Sequence, residues 1–224
     1  MDPAGGTSQS ALDELISDAS SRKRFLRMAG GGAAAAALSA ALAACGEDER
    51  TTGNQFGGAG VGTEQFGKGD AGIVAYALFL ERLETAFYQG AVSSGKLSGR
   101  ALELFQRFAE EEAAHIESLE RALGQLGGKE PPAPKFQFVF ENQEGIVTTA
   151  AQLETVGAGA YLGQVRRIQS KQVLVVALSI HSVEARHAAA LALLRGQAIT
   201  PDGAFANPSS SADVQRQTDP FLAA

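Results

Sequence analysis

Glutamate and histidine stand three residues apart twice in this 224-residue chain, as Glu112-Ala113-Ala114-His115 and Glu184-Ala185-Arg186-His187. A three-residue step on an α-helix returns to the same face one turn on, so each pair places a carboxylate and an imidazole where both can bind one metal ion. The chain has only three histidines, and two of them occupy this spacing. Carboxylate and imidazole together suit iron or manganese better than copper(I). The single cysteine excludes a disulfide framework, a thiolate zinc cage, an iron–sulfur cluster and a rubredoxin-type site. A net charge of −6 argues against a nucleic-acid partner and fits carboxylates gathered for metal.

These residues need helices to position them. Apolar residues at helical spacing predict helices over about 70–92, 99–126, 148–168 and 171–195. Asp70 and Ser98 are candidate N-caps, and Gly127-Gly128 and Gly196 are stop signals. Residues 95–98 and 169–170 form short turns, which makes two helical hairpins. Between the hairpins, Pro131, Pro132 and Pro134 break the helical pattern. Phe136, Phe138 and Phe140 then alternate at period two, as in an extended, half-buried segment. The small residues Gly157, Ala158, Gly159 and Ala160 would let another helix approach closely. Two hairpins joined by one long connection predict an all-α four-helix bundle. Helices of this length run roughly 37 Å, and the connection is long enough to cross that distance.

The register of the hairpins adds two more glutamates. In an antiparallel hairpin, residues equidistant from the turn share a height. Glu81 and Glu112 are centred on the first turn, and Glu154 and Glu184 on the second, with separations of 31 and 30 residues. All four are therefore expected at mid-bundle. Tyr88 lies seven residues after Glu81 and Tyr161 seven after Glu154, so the halves form a weak internal repeat. Each tyrosine shares its glutamate's face and is a candidate hydrogen-bond partner of the site carboxylates or a sacrificial electron donor. Glu84, three after Glu81, reads equally as a ligand or as a surface salt-bridge partner near Arg82. Glu110 and Glu111 read as water-facing, and His181, about 120° from His187 on the helical wheel, as a surface or outer residue.

With these residues in place, the chain resembles the ferritin-like superfamily. There, single glutamates from two helices and Glu-x-x-His from two others hold a metal pair. Leu153-Glu154, Gly157, Ala160-Tyr161-Leu162-Gly163 and Val183-Glu184-Ala185-Arg186-His187-Ala188-Ala189 resemble the exported bacterial ferritin-like domain proteins, a group similar to plant desiccation-related proteins. The resemblance covers about residues 66–196. It implies a ferritin-like bundle over 70–196, with Glu81, Glu112, His115, Glu154, Glu184 and His187 as ligands to two iron ions, or to manganese as the alternative. Tyr88 and Tyr161 would stand around them. The implied activity is oxidation of ferrous iron with oxygen or peroxide, as protection against oxidative stress. A manganese catalase-like activity is a further alternative. So is a non-enzymatic stress- or desiccation-associated role in which metal is absent or only structural.

The N-terminal residues read as an export signal. Ser21-Arg22-Lys23-Arg24-Phe25-Leu26-Arg27 precedes an uncharged, Ala- and Gly-rich run to Ala44. The basic segment resembles a twin-arginine signal, with Lys23 where the second arginine belongs. Leu42-Ala43-Ala44-Cys45 resembles a bacterial lipobox. Together they imply a signal peptide over 1–44, lipidation at Cys45 and a membrane partner through that anchor. Residues 45–69 read as a flexible tether, which places the domain outside the cytoplasmic membrane. Residues 197–224 read as an irregular tail with one helical turn near 212–217, held to the bundle by Phe205 and Phe221.

Overall fold

The computed structural model of the protein describes residues 63–223. The expected signal segment, Cys45 and most of the expected tether lie outside the described residues. Four long helices follow: α1 (Gly69–Ser93), α2 (Gly99–Gln125), α3 (Gln143–Gln164) and α4 (Lys171–Leu194), with a short α5 (Ser211–Thr218) in the tail. Helices α1 and α2 pack along their length, as do α3 and α4, and the two hairpins meet through α1–α3 and α2–α4. The fold is the all-α four-helix bundle that the two-hairpin pattern predicts.

The ends of the helices are held differently from the expectation. Asp70 does not cap α1. It lies in the first turn, where a carboxylate complements the helix dipole. Its Oδ1 accepts the Gln169 amide at 2.9 Å and its Oδ2 the Ser170 amide at 2.6 Å. At the other end, Ser98 precedes α2 without a side-chain cap. Its amide and hydroxyl donate to Gln143 Oε1 at 2.9 and 3.2 Å. The turn of each hairpin is thus tied to the opening helix of the other. Helix α3 begins at Gln143, ahead of the expected residue 148, because Asn142 Oδ1 accepts the Gly145 amide at 2.9 Å and caps it.

Among the described residues the core has three apolar clusters, and a polar layer lies between the two larger ones. Near the 95–98 turn, Leu83, Phe87, Tyr88, Phe105, Phe108 and Leu153 are buried together. Toward the other end lie Val74, Leu78, Leu119, Leu123, Tyr161 and Ile180. The connecting segment is extended, as its alternation predicts. Phe138 and Phe140 rest on Phe87 with ring centroids at 5.3 and 5.6 Å, and Phe136 forms a bridge with Leu222.

The tail is more ordered than expected. Ser210 caps α5 by accepting the Asp213 amide at 3.1 Å, and Phe221 packs on Phe138 at 5.8 Å. Phe205 does not pin the tail: it is 81% exposed. Two of the small residues of α3, Gly159 and Gly163, admit the tail as well. The Ser209 amide donates to Gly159 O at 2.9 Å, and a Cβ on Gly163 would sit 2.1 Å from Ser209 O.

Phe87 joins the bundle core to the connecting segment, so Phe87→Ala is expected to destabilise the fold by about 3–5 kcal/mol. Denaturant unfolding followed by circular dichroism measures this. A loss under about 1 kcal/mol, as for a surface substitution, would refute the packing role.

Candidate metal centre

The polar layer is built from one turn of each long helix. Glu81 comes from α1, Glu112 and His115 from α2, Glu154 from α3, and Glu184 and His187 from α4. The structure brings all six together. The four glutamates are fully buried, and His115 and His187 nearly so. The groups fall into two overlapping sets. Glu81, Glu112, His115 and Glu184 offer ligand atoms within 4.8 Å of one another, and so do Glu112, Glu154, Glu184 and His187. Glu112 and Glu184 belong to both sets, as bridging ligands of two ions would.

Distances within the sets are short. His115 Nδ1 lies 2.9 Å from Glu112 Oε2, 3.1 Å from Glu81 Oε2 and 3.3 Å from Glu184 Oε1. His187 Nδ1 lies 2.9 Å from Glu112 Oε1 and 3.3 Å from Glu154 Oε2. These last contacts are at ion-pair distance but lack hydrogen-bond geometry. His187 Nδ1, Glu112 Oε1, Glu154 Oε2 and both oxygens of Glu184 have no hydrogen-bond partner. Buried polar atoms are rarely left so, and acceptors that converge on one another need positive charge between them. Protons or metal ions can supply it, and the donor set fits a pair of divalent ions.

The outer contacts orient the ligands. Tyr88 donates its hydroxyl to Glu154 Oε1, and Tyr161 donates to Glu81 Oε1 at 2.5 Å. Each tyrosine therefore holds the glutamate of the opposite hairpin, not the one seven residues before it. Burial, with the neighbouring glutamates, pushes both phenols well above their usual range, so they remain donors. His187 Nε2 donates to Glu111 Oε2 at 2.7 Å, and Glu111 accepts from Arg107 Nε at 2.9 Å. The His187 ring also stacks on Phe108 at 3.9 Å. A carboxylate on the far nitrogen of a metal-binding imidazole sets its tautomer and orientation. A surface cleft of about 690 Å³ between α2 and α4 reaches this side of the site, and Arg107, Glu111, Arg186, His115 and His187 are among its lining residues.

One reading from the sequence needs correction, one open alternative is resolved, and His181 lies where it was expected. Glu111 is not simply water-facing but the outer partner of His187; nothing in the sequence marks it, because it only adjoins Glu112. Glu84 is no surface salt-bridge partner. It is buried beside the site, and Arg82 instead pairs with Glu120 at 3.1 Å and Glu130 at 2.7 Å. The three-residue step from Glu81 was its signal. His181 stands outside both ligand sets, half-buried, with Nδ1 3.0 Å from Ala158 O.

The profile of the ferritin-like domain family matches residues 69–197. The chain belongs to that family. Among solved structures, a conserved hypothetical protein from Mycobacterium tuberculosis is similar, with 19% sequence identity and a TM-score of 0.50. The match covers 57% of this chain and 90% of the other, and at that identity it shows the shared fold. Comparison with curated proteins gives no match.

Burial raises the affinity of most of the site's carboxyl groups for protons. Burial pushes Glu81 up to about 8, against 4.5 for an ordinary glutamate. Burial, then like charge, raises Glu84 and Glu184, and burial also raises Glu154. Burial alone would raise Glu112 too, but the adjacent His115 and His187 hold it down to about 2. Burial would lower the two imidazoles, yet the carboxylates around them push His115 up to about 12 and His187 up to about 11. A group whose value is raised on folding stabilises the fold below its unfolded value and loses that contribution as pH rises toward the folded one. Glu81 loses its share between 4.5 and about 8. The histidines lose theirs from 6.5 upward, toward about 11 and 12. The metal-stripped chain is therefore expected to melt at progressively lower temperature from about pH 5 to about pH 9, while the stabilisation added by metal grows, because the ion displaces these protons. Melting curves across that range measure both trends, and a melting temperature that rises with pH in the stripped chain would contradict the first.

Proposed function

We propose that this ferritin-like domain holds a dinuclear iron or manganese centre and uses it to oxidise ferrous iron with oxygen or peroxide outside the cytoplasmic membrane. The observation that carries this reading is the pair of buried four-residue ligand sets sharing Glu112 and Glu184, with acceptor atoms that lack any other partner. Glu81 and His115 would serve one ion, Glu154 and His187 the other, and the shared glutamates both. When bound, such a pair of redox-active ions supplies electrons to a small oxidant.

The chain's own residues set the conditions. Tyr88 and Tyr161 hold the terminal glutamates in place through their hydroxyls. Glu111, fixed by Arg107, orients His187. Phe87, Phe105 and Phe108 keep water from the Tyr88 side of the site, where their rings surround or approach that phenol. The cleft between α2 and α4 gives ferrous iron, as substrate, and the oxidant a route to the histidine side.

The purified chain is expected to bind about two iron or manganese ions, following the dinuclear pattern. Glu184→Ala breaks both ligand sets and should abolish binding, whereas Glu81→Ala breaks one set and should weaken one ion selectively. Mixing anaerobically loaded ferrous protein with peroxide should give a rapid absorbance change that is lost in Glu184→Ala while helical circular dichroism persists. No metal above background after ferrous loading would refute the reading. Evolution of oxygen from peroxide would transfer it to the manganese catalase-like activity, and metal bound without turnover would leave a structural staple.

The export and anchoring part of the proposal rests on residues 1–45. The basic segment before an apolar run, and the chain's only cysteine directly after Leu42-Ala43-Ala44, support a lipid anchor. Cys45→Ser removes the sulfur that would carry the lipid, so the variant should move from the membrane fraction to the soluble fraction of the producing cell. Unchanged membrane association would refute the anchor.

A further inference from the structure

Glu84 has no counterpart in the other half of the site. Three residues after Glu81 stands Glu84, and three after Glu154 stands Gly157. The two positions meet across the α1–α3 contact. A Cβ on Gly157 would lie 2.8 Å from Glu84 Oε1 and 2.8 Å from Glu184 Oε2. The glycine therefore leaves room for carboxylate oxygens from two different helices to approach α3 side by side. Glu84 is 2% exposed, and its Oε2 has no hydrogen-bond partner; neither oxygen of Glu184 has one either. Arg82, the cation nearest in sequence, is engaged with Glu120 and Glu130. A buried carboxyl with an unpaired oxygen is a burden on the fold. An amide or a leucine at this position would carry less of it.

We propose that Glu84 is a seventh metal-binding residue of the centre, joining Glu184 from the α1–α3 side, away from the helices that bring the histidines. The proposal rests on the reading of the site as a dinuclear centre. Glu84 belongs to neither four-residue ligand set, so it adds a ligand to the centre and does not complete a set. The repeat that makes the two halves alike is broken at this point, and the two ions are bound with unequal strength. The pairing with Gly157 gives the asymmetry a structural basis, because a side chain at 157 would occupy the space of the Glu84 and Glu184 oxygens.

The test uses the full chain, stripped of metal and titrated with manganese(II), with free ion followed by electron paramagnetic resonance and melting temperature measured before and after loading. Wild type should bind two ions. Glu84→Gln should weaken one of the two binding steps by at least about 10-fold. It should also melt higher than wild type when stripped, yet gain less on loading. Gly157→Ala, which keeps every ligand but crowds Glu84 and Glu184, should weaken the same step and guards against a Glu84→Gln variant that does not fold. Two unchanged affinities and an unchanged gain on loading in the variants would overturn the role of Glu84 while leaving the dinuclear centre standing. Failure of wild type itself to bind manganese(II) or iron(II) would instead remove the dinuclear reading, and the proposal with it.

Discussion

Five carboxyl groups and two imidazoles packed between two apolar clusters create the constraint that the bundle must satisfy. Each such group is costly to bury as an isolated charge, and their oxygens face one another more than they face donors. Positive charge has to stand among them, whether carried by protons or by metal. The rest of the bundle follows from holding that layer in place. Helices of 22 to 27 residues extend well beyond it on both sides, so the apolar clusters above and below provide the burial that offsets it. The tyrosines and Glu111 supply the few hydrogen bonds that the ligands do accept or donate to neighbours outside the sets.

The two hairpins repeat one design and interlock by exchange. Tyr88 serves Glu154 while Tyr161 serves Glu81. Asp70 receives the turn of the second hairpin, and Gln143 receives that of the first. An isolated hairpin would thus lose both its ligand support and its end latch. This dependence gives a physical reason for a single cooperative domain. The symmetry fails where the site acquires individuality. Glu84 faces Gly157, and Glu111 backs His187, whereas the residue before Glu184 is Val183. The cleft opens on the α2–α4 flank of the layer, so the histidine side has a route to solvent.

Membership of the ferritin-like domain family fixes the scaffold, and the buried Glu and His sets within it are compatible with a metal site. It does not fix a reaction, since one scaffold hosts many chemistries and function resides in the site. The features that separate this chain from a generic carboxylate bundle are local. They are the Arg107–Glu111–His187 relay, the crossed tyrosines and the carboxylate at position 84.

The sequence by itself determined the helices, their pairing into hairpins and the height of six candidate ligands, because those depend on period and on distance from a turn. Glu81 and Glu154 carry no motif of their own, yet the register placed them opposite Glu112 and Glu184. Phe136, Phe138 and Phe140 announced an extended segment by alternation alone. Only the tertiary structure decided which tyrosine serves which glutamate, because the partners lie 66 and 80 residues apart. It also decided that Asp70 latches a distant turn and does not cap its own helix, that Gly157 makes room for carboxylates and Gly163 for tail backbone, and that Glu84 lies inside while Phe205 lies outside. Helix α1 is buried over most of its circumference, so a helical wheel cannot separate an inward Glu84 from an outward one. That distinction exists only once α3 is laid against α1 with a glycine at the point of contact.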